Sequence, residues 1–106
     1  MLRLHTEEAT DGAFASRIGG EEFVVVVPAL DQATAIHHCE RIRAHLEATD
    51  WSMIAPGLSV TASVGVAVDR GGTEPGSELL SRADARLYEA KRHGRNRVVS
   101  DPHPAR

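Results

Sequence analysis

Apolar residues along this chain follow two periods. From Phe14 to Ile18 they alternate weakly with polar positions, which puts Phe14 and Ile18 on one face of a short strand. Residues 23–27, Phe-Val-Val-Val-Val, form an unbroken apolar run closed by Pro28, the pattern of a strand covered on both faces. Gly19-Gly20 between these runs predicts a β-hairpin, because glycine accepts positive φ at both positions of a tight turn. Beyond Asp31, a candidate N-cap, Ala35, Cys39, Ile42 and Leu46 step by four, three and four, so a helix to about Thr49 carries one apolar stripe. Residues 51–57 are a connection rich in turn formers. Residues 58–68 read as a strand with Val60, Ala62, Val64, Val66 and Val68 on one face. Its other face, Thr61, Ser63, Gly65 and Ala67, is small, which implies close approach by another element. After a loop over 70–76, Ser77 reads as the cap of a second helix with the stripe Leu80, Ala83, Leu87 and Ala90 and with Gly94 at its C′ position. Residues 97–99 read as a last short strand. Strands alternating with helices after a hairpin predict a two-layer α/β sandwich.

Composition narrows the function classes. The 106 residues allow one small domain, and only 4% of them are aromatic, so the core is built from Val, Leu, Ile and Ala. A net charge of −3 and a pI near 6.0 argue against bulk electrostatic binding to nucleic acid or to an anionic membrane. An RNA-binding sheet would want stacking aromatics on its strands, and Trp51 and Tyr88 fall outside them. Tyr88 reads as helix-to-sheet packing. The single Cys39 excludes an internal disulfide and reads as a small core residue. His37 and His38 diverge by about 100° around a helix and do not share a metal easily. No apolar leader opens the chain, and the longest apolar run, over 23–30, is too short to span a bilayer. These features suit a soluble, cytoplasmic domain.

Charge is unevenly placed. Residues 1–50 hold nine acidic residues against four arginines, whereas residues 82–97 hold six basic residues against Asp84 and Glu89. A local basic cluster on an acidic protein suits a small anionic ligand, although cations at a helix C-terminus also offset its dipole. Gly19 and Gly20 leave backbone bare for close approach by a base or phosphate. Glu21 and Glu22 beside them could hold Mg²⁺, which commonly takes one or two carboxylates together with substrate phosphates. Adjacent strand residues face opposite ways, so the two glutamates divide roles. Lys91 and Arg95 flank the later glycine turn and could grip a triphosphate, Arg95 as a bidentate fork and Lys91 as a point charge.

Arg17-Ile18-Gly19-Gly20-Glu21-Glu22-Phe23 resembles the signature of the GGDEF domain, the catalytic domain of bacterial diguanylate cyclases. Ser63-Val64-Gly65-Val66-Ala67 resembles that family's small-residue strand. Ala83-Asp84-Ala85-Arg86-Leu87-Tyr88-Glu89-Ala90-Lys91 resembles its last helix, and Gly94-Arg95-Asn96-Arg97-Val98 its closing turn and strand. The resemblance covers about residues 13–99 and implies a nucleotidyl-cyclase-like, palm-like α/β fold. It divides the chain into a truncated GGDEF domain over 1–99 and a tail over 100–106. It also implies condensation of two GTP to cyclic di-GMP and two pyrophosphates by a homodimer of GGDEF domains, with Mg²⁺ or Mn²⁺ as cofactor. Gly19 and Gly20 would lie against the nucleotide, and Glu21 would ligate the metal and help deprotonate the attacking 3′-hydroxyl. Glu22 would support a metal or the transition state, and Lys91 and Arg95 would hold the leaving phosphates.

Two departures qualify the implied activity. The family's domain begins with a strand and two helices that supply a metal-binding Asp and the guanine readers. Here only residues 2–4 could be a remnant of them. The family's RxxD product-binding motif would fall on Thr10 and Ala13, which cannot make its contacts. The chain alone is therefore expected to bind phosphate weakly without forming product, and to associate through edges left open beside residues 23–27 or 58–68. The alternative is a non-catalytic GGDEF-like module that binds a nucleotide or dimerises.

Overall fold

The computed structural model describes residues 14–18, 20–71 and 74–102. The expectations placed on residues 2–4, Thr10, Ala13 and Gly19 lie outside the described residues. Four strands form one mixed sheet in the order β1-β2-β3-β4: β1 Phe14–Arg17, β2 Glu22–Pro28, β3 Ser63–Asp69 and β4 Val98–Ser100. β1 is antiparallel to β2, whereas β2–β3 and β3–β4 are parallel and joined through helices α1 (Gln32–Ala48) and α2 (Gly76–Arg92).

The hairpin forms, with a longer loop than a two-residue turn. Arg17 pairs with Phe23, and the Ile18 N–H donates to the Glu22 carbonyl at 2.6 Å, so the chain reverses between Ile18 and Glu22. β3 starts at Ser63 rather than at 58, because its partner strand begins at Glu22, which stands opposite Ser63. A strand without a partner has no ladder to join. β2 and β3 also pair with each other along seven residues, so the open edges expected beside 23–27 and 58–68 are closed. The outer strands are instead the short β1 and β4.

The expected α/β class, a mixed sheet with two helices, is present. The helices cover opposite faces rather than sharing one layer. Phe23, Val27, Val64, Val66 and Val68 face α1, with Ala35, Cys39 and Leu46 packed over them. Val24, Val26 and Ala67 face Leu79, Ala83 and Leu87 of α2. The valines of β2 are apolar on both sides, so both faces of the sheet need a helix. Gly65 lets α2 come close: a Cβ added there would sit 2.2 Å from the Ala83 carbonyl oxygen and 2.3 Å from the Leu87 nitrogen.

Local details depart from the sequence pattern. Asp31 stands at the N-cap of α1 after a 3₁₀ turn, Ala29–Asp31, but its side chain makes no capping bond. α2 begins one residue earlier than Ser77, with Pro75 as N-cap. Its buried stripe is Leu79, Ala83, Leu87 and Ala90, and Leu80 is 40% exposed. Ile42 is 57% exposed beside a small apolar groove lined by Phe23, Cys39, Leu46, Ala62 and Val64. Tyr88 does not pack on the sheet; it is exposed, with the Arg92 guanidinium 5.9 Å over its ring. β4 runs to Ser100, and Asp101 after it is buried. Among the described residues no helix is long and apolar enough to cross a membrane.

Candidate functional site

The hairpin delivers Glu21 and Glu22 to opposite sides, as strand geometry requires. Glu22, the first residue of β2, turns toward the C-terminus of α2. Its carboxylate accepts from Lys91 Nζ at 3.4 Å and from Arg95 Nη1 at 3.3 Å. Carboxylate and cations, 69 and 73 residues apart in sequence, thus meet at one point. Glu22 and Lys91 are partly buried and Arg95 is exposed, so solvent screens this cluster. Glu21 is exposed and takes a hydrogen bond from Thr61 Oγ1 at 3.0 Å. Its carbonyl accepts the Ser63 N–H at 2.9 Å. Gly20 lies at the exposed tip with nothing within 4 Å of where a Cβ would stand, and its carbonyl accepts Nε and Nη2 of Arg17, each at 3.2 Å.

The cation side is built from the end of α2. Gly94, at φ 115°, closes the helix: its N–H reaches the Lys91 carbonyl at 3.4 Å, and the Arg95 N–H reaches that of Ala90 at 2.8 Å. These are the paired bonds of a Schellman cap, which satisfy carbonyls the helix leaves open. The chain then stays left-handed, with Arg95 at φ 66° and Asn96 at φ 51°. Arginine is not suited to that region, where a non-glycine residue costs about 1–3 kcal/mol, and asparagine tolerates it better. Asn96 is held on three sides: its N–H donates to Ser63 Oγ at 3.0 Å, its Oδ1 accepts from Arg43 Nη1 at 2.9 Å, and its Nδ2 donates to Glu47 Oε2 at 2.9 Å. Arg43 and then Asn96 hold the Glu47 carboxyl below its usual range, and Glu40 followed by Glu47 raises Arg43. Because the folded-state value of Glu47 is depressed, its contribution is present above the ordinary carboxylate range and lost as the pH falls through the lowered value.

On the Glu21 side, a groove of about 510 Å³ runs from Arg17 and Gly20 past Glu21 and Thr61 to Trp51, whose Nε1 donates to the Leu46 carbonyl at 3.1 Å. That volume is within the range of small-ligand sites. No three acidic, histidine or cysteine side chains converge on a metal position among the described residues, His37 and His38 included. Glu22 is committed to two cations. Glu21 fits the mode in which Mg²⁺ takes a single protein carboxylate and completes its shell from phosphates and water.

The sequence model of the family described as "Diguanylate cyclase, GGDEF domain" matches residues 3–97. The chain belongs to the GGDEF family. It is 44% identical over 86 residues to the response regulator PleD of Caulobacter vibrioides, covering 78% of this chain and 19% of that protein. It is 41% identical over 85 residues to the diguanylate cyclase DgcP of Pseudomonas aeruginosa, covering 80% of this chain and 12% of that one. Against diguanylate cyclase A of Treponema denticola it is 38% identical over 85 residues, 80% of this chain and 23% of the relative. The chain thus spans less than a quarter of the length of these relatives.

The GGDEF signature accordingly lies on the turn and first strand residues just described, with Glu21 where the family name carries Asp. Sequence reasoning singled out Gly20, Glu21, Glu22, Lys91 and Arg95, and the fold gathers Glu22, Lys91 and Arg95 while sending Glu21 to the groove. It missed Thr61, Ser63, Arg43 and Glu47, which carry no local signal. Asn96 did carry one, an asparagine directly after a glycine cap.

Proposed function

We propose that this chain is the phosphate-gripping part of a diguanylate cyclase domain, which in a dimer with a second GGDEF domain condenses two GTP to cyclic di-GMP. Each 3′-hydroxyl attacks the α-phosphorus of the other GTP. At each centre one P–O bond forms, one α–β anhydride bond breaks, pyrophosphate leaves and the hydroxyl proton is lost. Lys91 and Arg95 hold the β- and γ-phosphates through charge-assisted bonds, Arg95 as a planar fork. Gly20 lets the nucleotide approach the turn without a side chain in the way. Glu21, exposed beside the glycine turn, would take the hydroxyl proton and offer one oxygen to Mg²⁺ or Mn²⁺. A divalent ion there supplies neutralisation of phosphate charge. Glu22 keeps the two cations paired until phosphate replaces it.

The observation that carries this reading is the Glu22–Lys91–Arg95 cluster beside the glycine turn. The same arrangement supports binding without turnover by the 106-residue chain alone, since Glu21 is the carboxylate left open at that turn among the described residues. A nucleotide substrate and a single free thiol suit a cytoplasmic setting.

Purified protein incubated with GTP and Mg²⁺ tests both statements. Titration with GTP is expected to show binding that weakens about tenfold in Lys91→Ala or Arg95→Ala. Unchanged affinity in both variants overturns the phosphate assignment. Chromatography is expected to show no cyclic di-GMP; product made by the wild type and not by Glu21→Ala would mean the chain alone is a complete catalyst.

A further inference from the structure

We infer that Asn96 is a positioning residue for the phosphate grip: it holds Arg95 in place and couples that grip to helix α1. The inference rests on the reading that Lys91 and Arg95 bind phosphate. Arg95 is exposed and left-handed, a conformation its own side chain does not favour. The Schellman cap fixes its N–H from the α2 side. Its carbonyl end, in the peptide it shares with Asn96, accepts Arg97 Nε at 3.1 Å, a bond from two residues along the same turn that ties it to no other element. There the Asn96 N–H is tied to Ser63 Oγ on β3, and the Asn96 side chain is tied at both of its atoms to α1, through Arg43 and Glu47. Arg95 is therefore gripped between α2 on one side and α1 with β3 on the other.

The choice of residue follows from chemistry. Asparagine is the side chain that tolerates left-handed geometry and offers one acceptor and two donors at the same tip. Here the acceptor meets a guanidinium and a donor meets a carboxylate, so an aspartate would face Glu47 with like charge and an alanine would give up both ties to α1. Arg43 is further clamped by Glu40, with Nε to Oε2 at 2.8 Å, and by Glu47, with Nη1 to Oε1 at 3.0 Å. The tie ends on a braced helix face rather than on a loose side chain. A binding group held by a braced neighbour loses less freedom when the ligand arrives.

Inorganic pyrophosphate titrated calorimetrically into the wild type, Arg95→Ala, Asn96→Gly and the double variant tests this. Glycine accepts the left-handed backbone, so Asn96→Gly removes the ties to α1 without forcing the turn open. Arg95→Ala is expected to weaken binding about tenfold and Asn96→Gly about threefold, with the double variant no weaker than Arg95→Ala alone. Arg43→Met, which never meets the ligand, is expected to weaken binding in the same direction as Asn96→Gly. Unchanged affinity in Asn96→Gly, or additive losses in the double variant, overturns the positioning role, even where the thermal midpoint falls. Unchanged affinity in Arg95→Ala removes the phosphate reading itself, and this inference with it.

Discussion

Glu22 faces two cations that it does not neutralise permanently. At 3.3–3.4 Å and partly exposed, its ion pairs are weak enough for a phosphate, carrying more charge and more acceptor oxygens, to displace them. Removing the competing charge is then expected to help the ligand: Glu22→Gln should bind inorganic pyrophosphate about threefold to tenfold more tightly than the wild type by calorimetry. Equal or weaker binding would show that Glu22 organises the cations instead of competing for them. A second residue reports on the groove of the opposite face. The Cys39 thiol is pushed up to about 11, first by burial and then by the neighbouring Glu40 charge. At pH 8 that leaves roughly a hundredfold less thiolate than the ordinary value would, offset in part by the greater nucleophilicity of a more basic sulfur. Cys39 is expected to react with a disulfide reagent at least about tenfold more slowly than a free cysteine peptide, and a rate equal to the peptide's would contradict the burial.

Gly65 decides how β3 and α2 fit together. The atoms that an added methyl would strike at 2.2 and 2.3 Å are helix backbone, so no rotamer change relieves the clash and the whole helix must shift. Gly65→Ala is expected to cost about 3 kcal/mol or more, read as a lowered urea midpoint with an unchanged slope. A loss under about 0.5 kcal/mol would mean that α2 does not lie so close. Most of the elements were legible from periodicity, because strands and helices sort apolar residues with different repeats. Boundaries were less so. Leu79 and Leu80 are adjacent leucines, both compatible with a stripe through Ala83 and Leu87, and only contact with Val24 and Val26 selects Leu79. The start of β3 depended on where β2 begins, a fact about its partner rather than about residues 58–62.

Over the whole molecule, Asp101 joins parts that the pattern kept separate. Its carbonyl accepts Gln32 Nε2 of α1 at 2.7 Å, and its carboxylate accepts the Val68 N–H at 2.9 Å and Arg82 Nε of α2 at 3.3 Å. The side chain is 8% exposed, and Arg86 Nε stands 3.6 Å away without a hydrogen-bond partner among the described residues. Truncation leaves the Val68 N–H without its acceptor and takes one carboxylate from Arg82 and Arg86, which keep Glu74 and Glu89, so Asp101→Ala is expected to lower stability by about 1–3 kcal/mol in denaturant unfolding. A change within about 0.5 kcal/mol would show that the network adds nothing.

The sequence by itself determined the hairpin, the two helices, the apolar character of the central strands and the family, since each rests on local spacing or on a contiguous motif. It also named both halves of the candidate site. Tertiary structure alone decided that Glu22 rather than Glu21 meets Lys91 and Arg95, because which side a carboxylate faces depends on the register of the turn and on where α2 ends. It decided the layering as well. The two crossovers β2–α1–β3 and β3–α2–β4 step the same way across the sheet, and the usual right-handed rule would put both helices on one face. They cover opposite faces, so the crossovers are of opposite hand. Both faces of β2 carry apolar side chains, and which helix covers which face is a property of the assembled sheet, not of any segment of the chain.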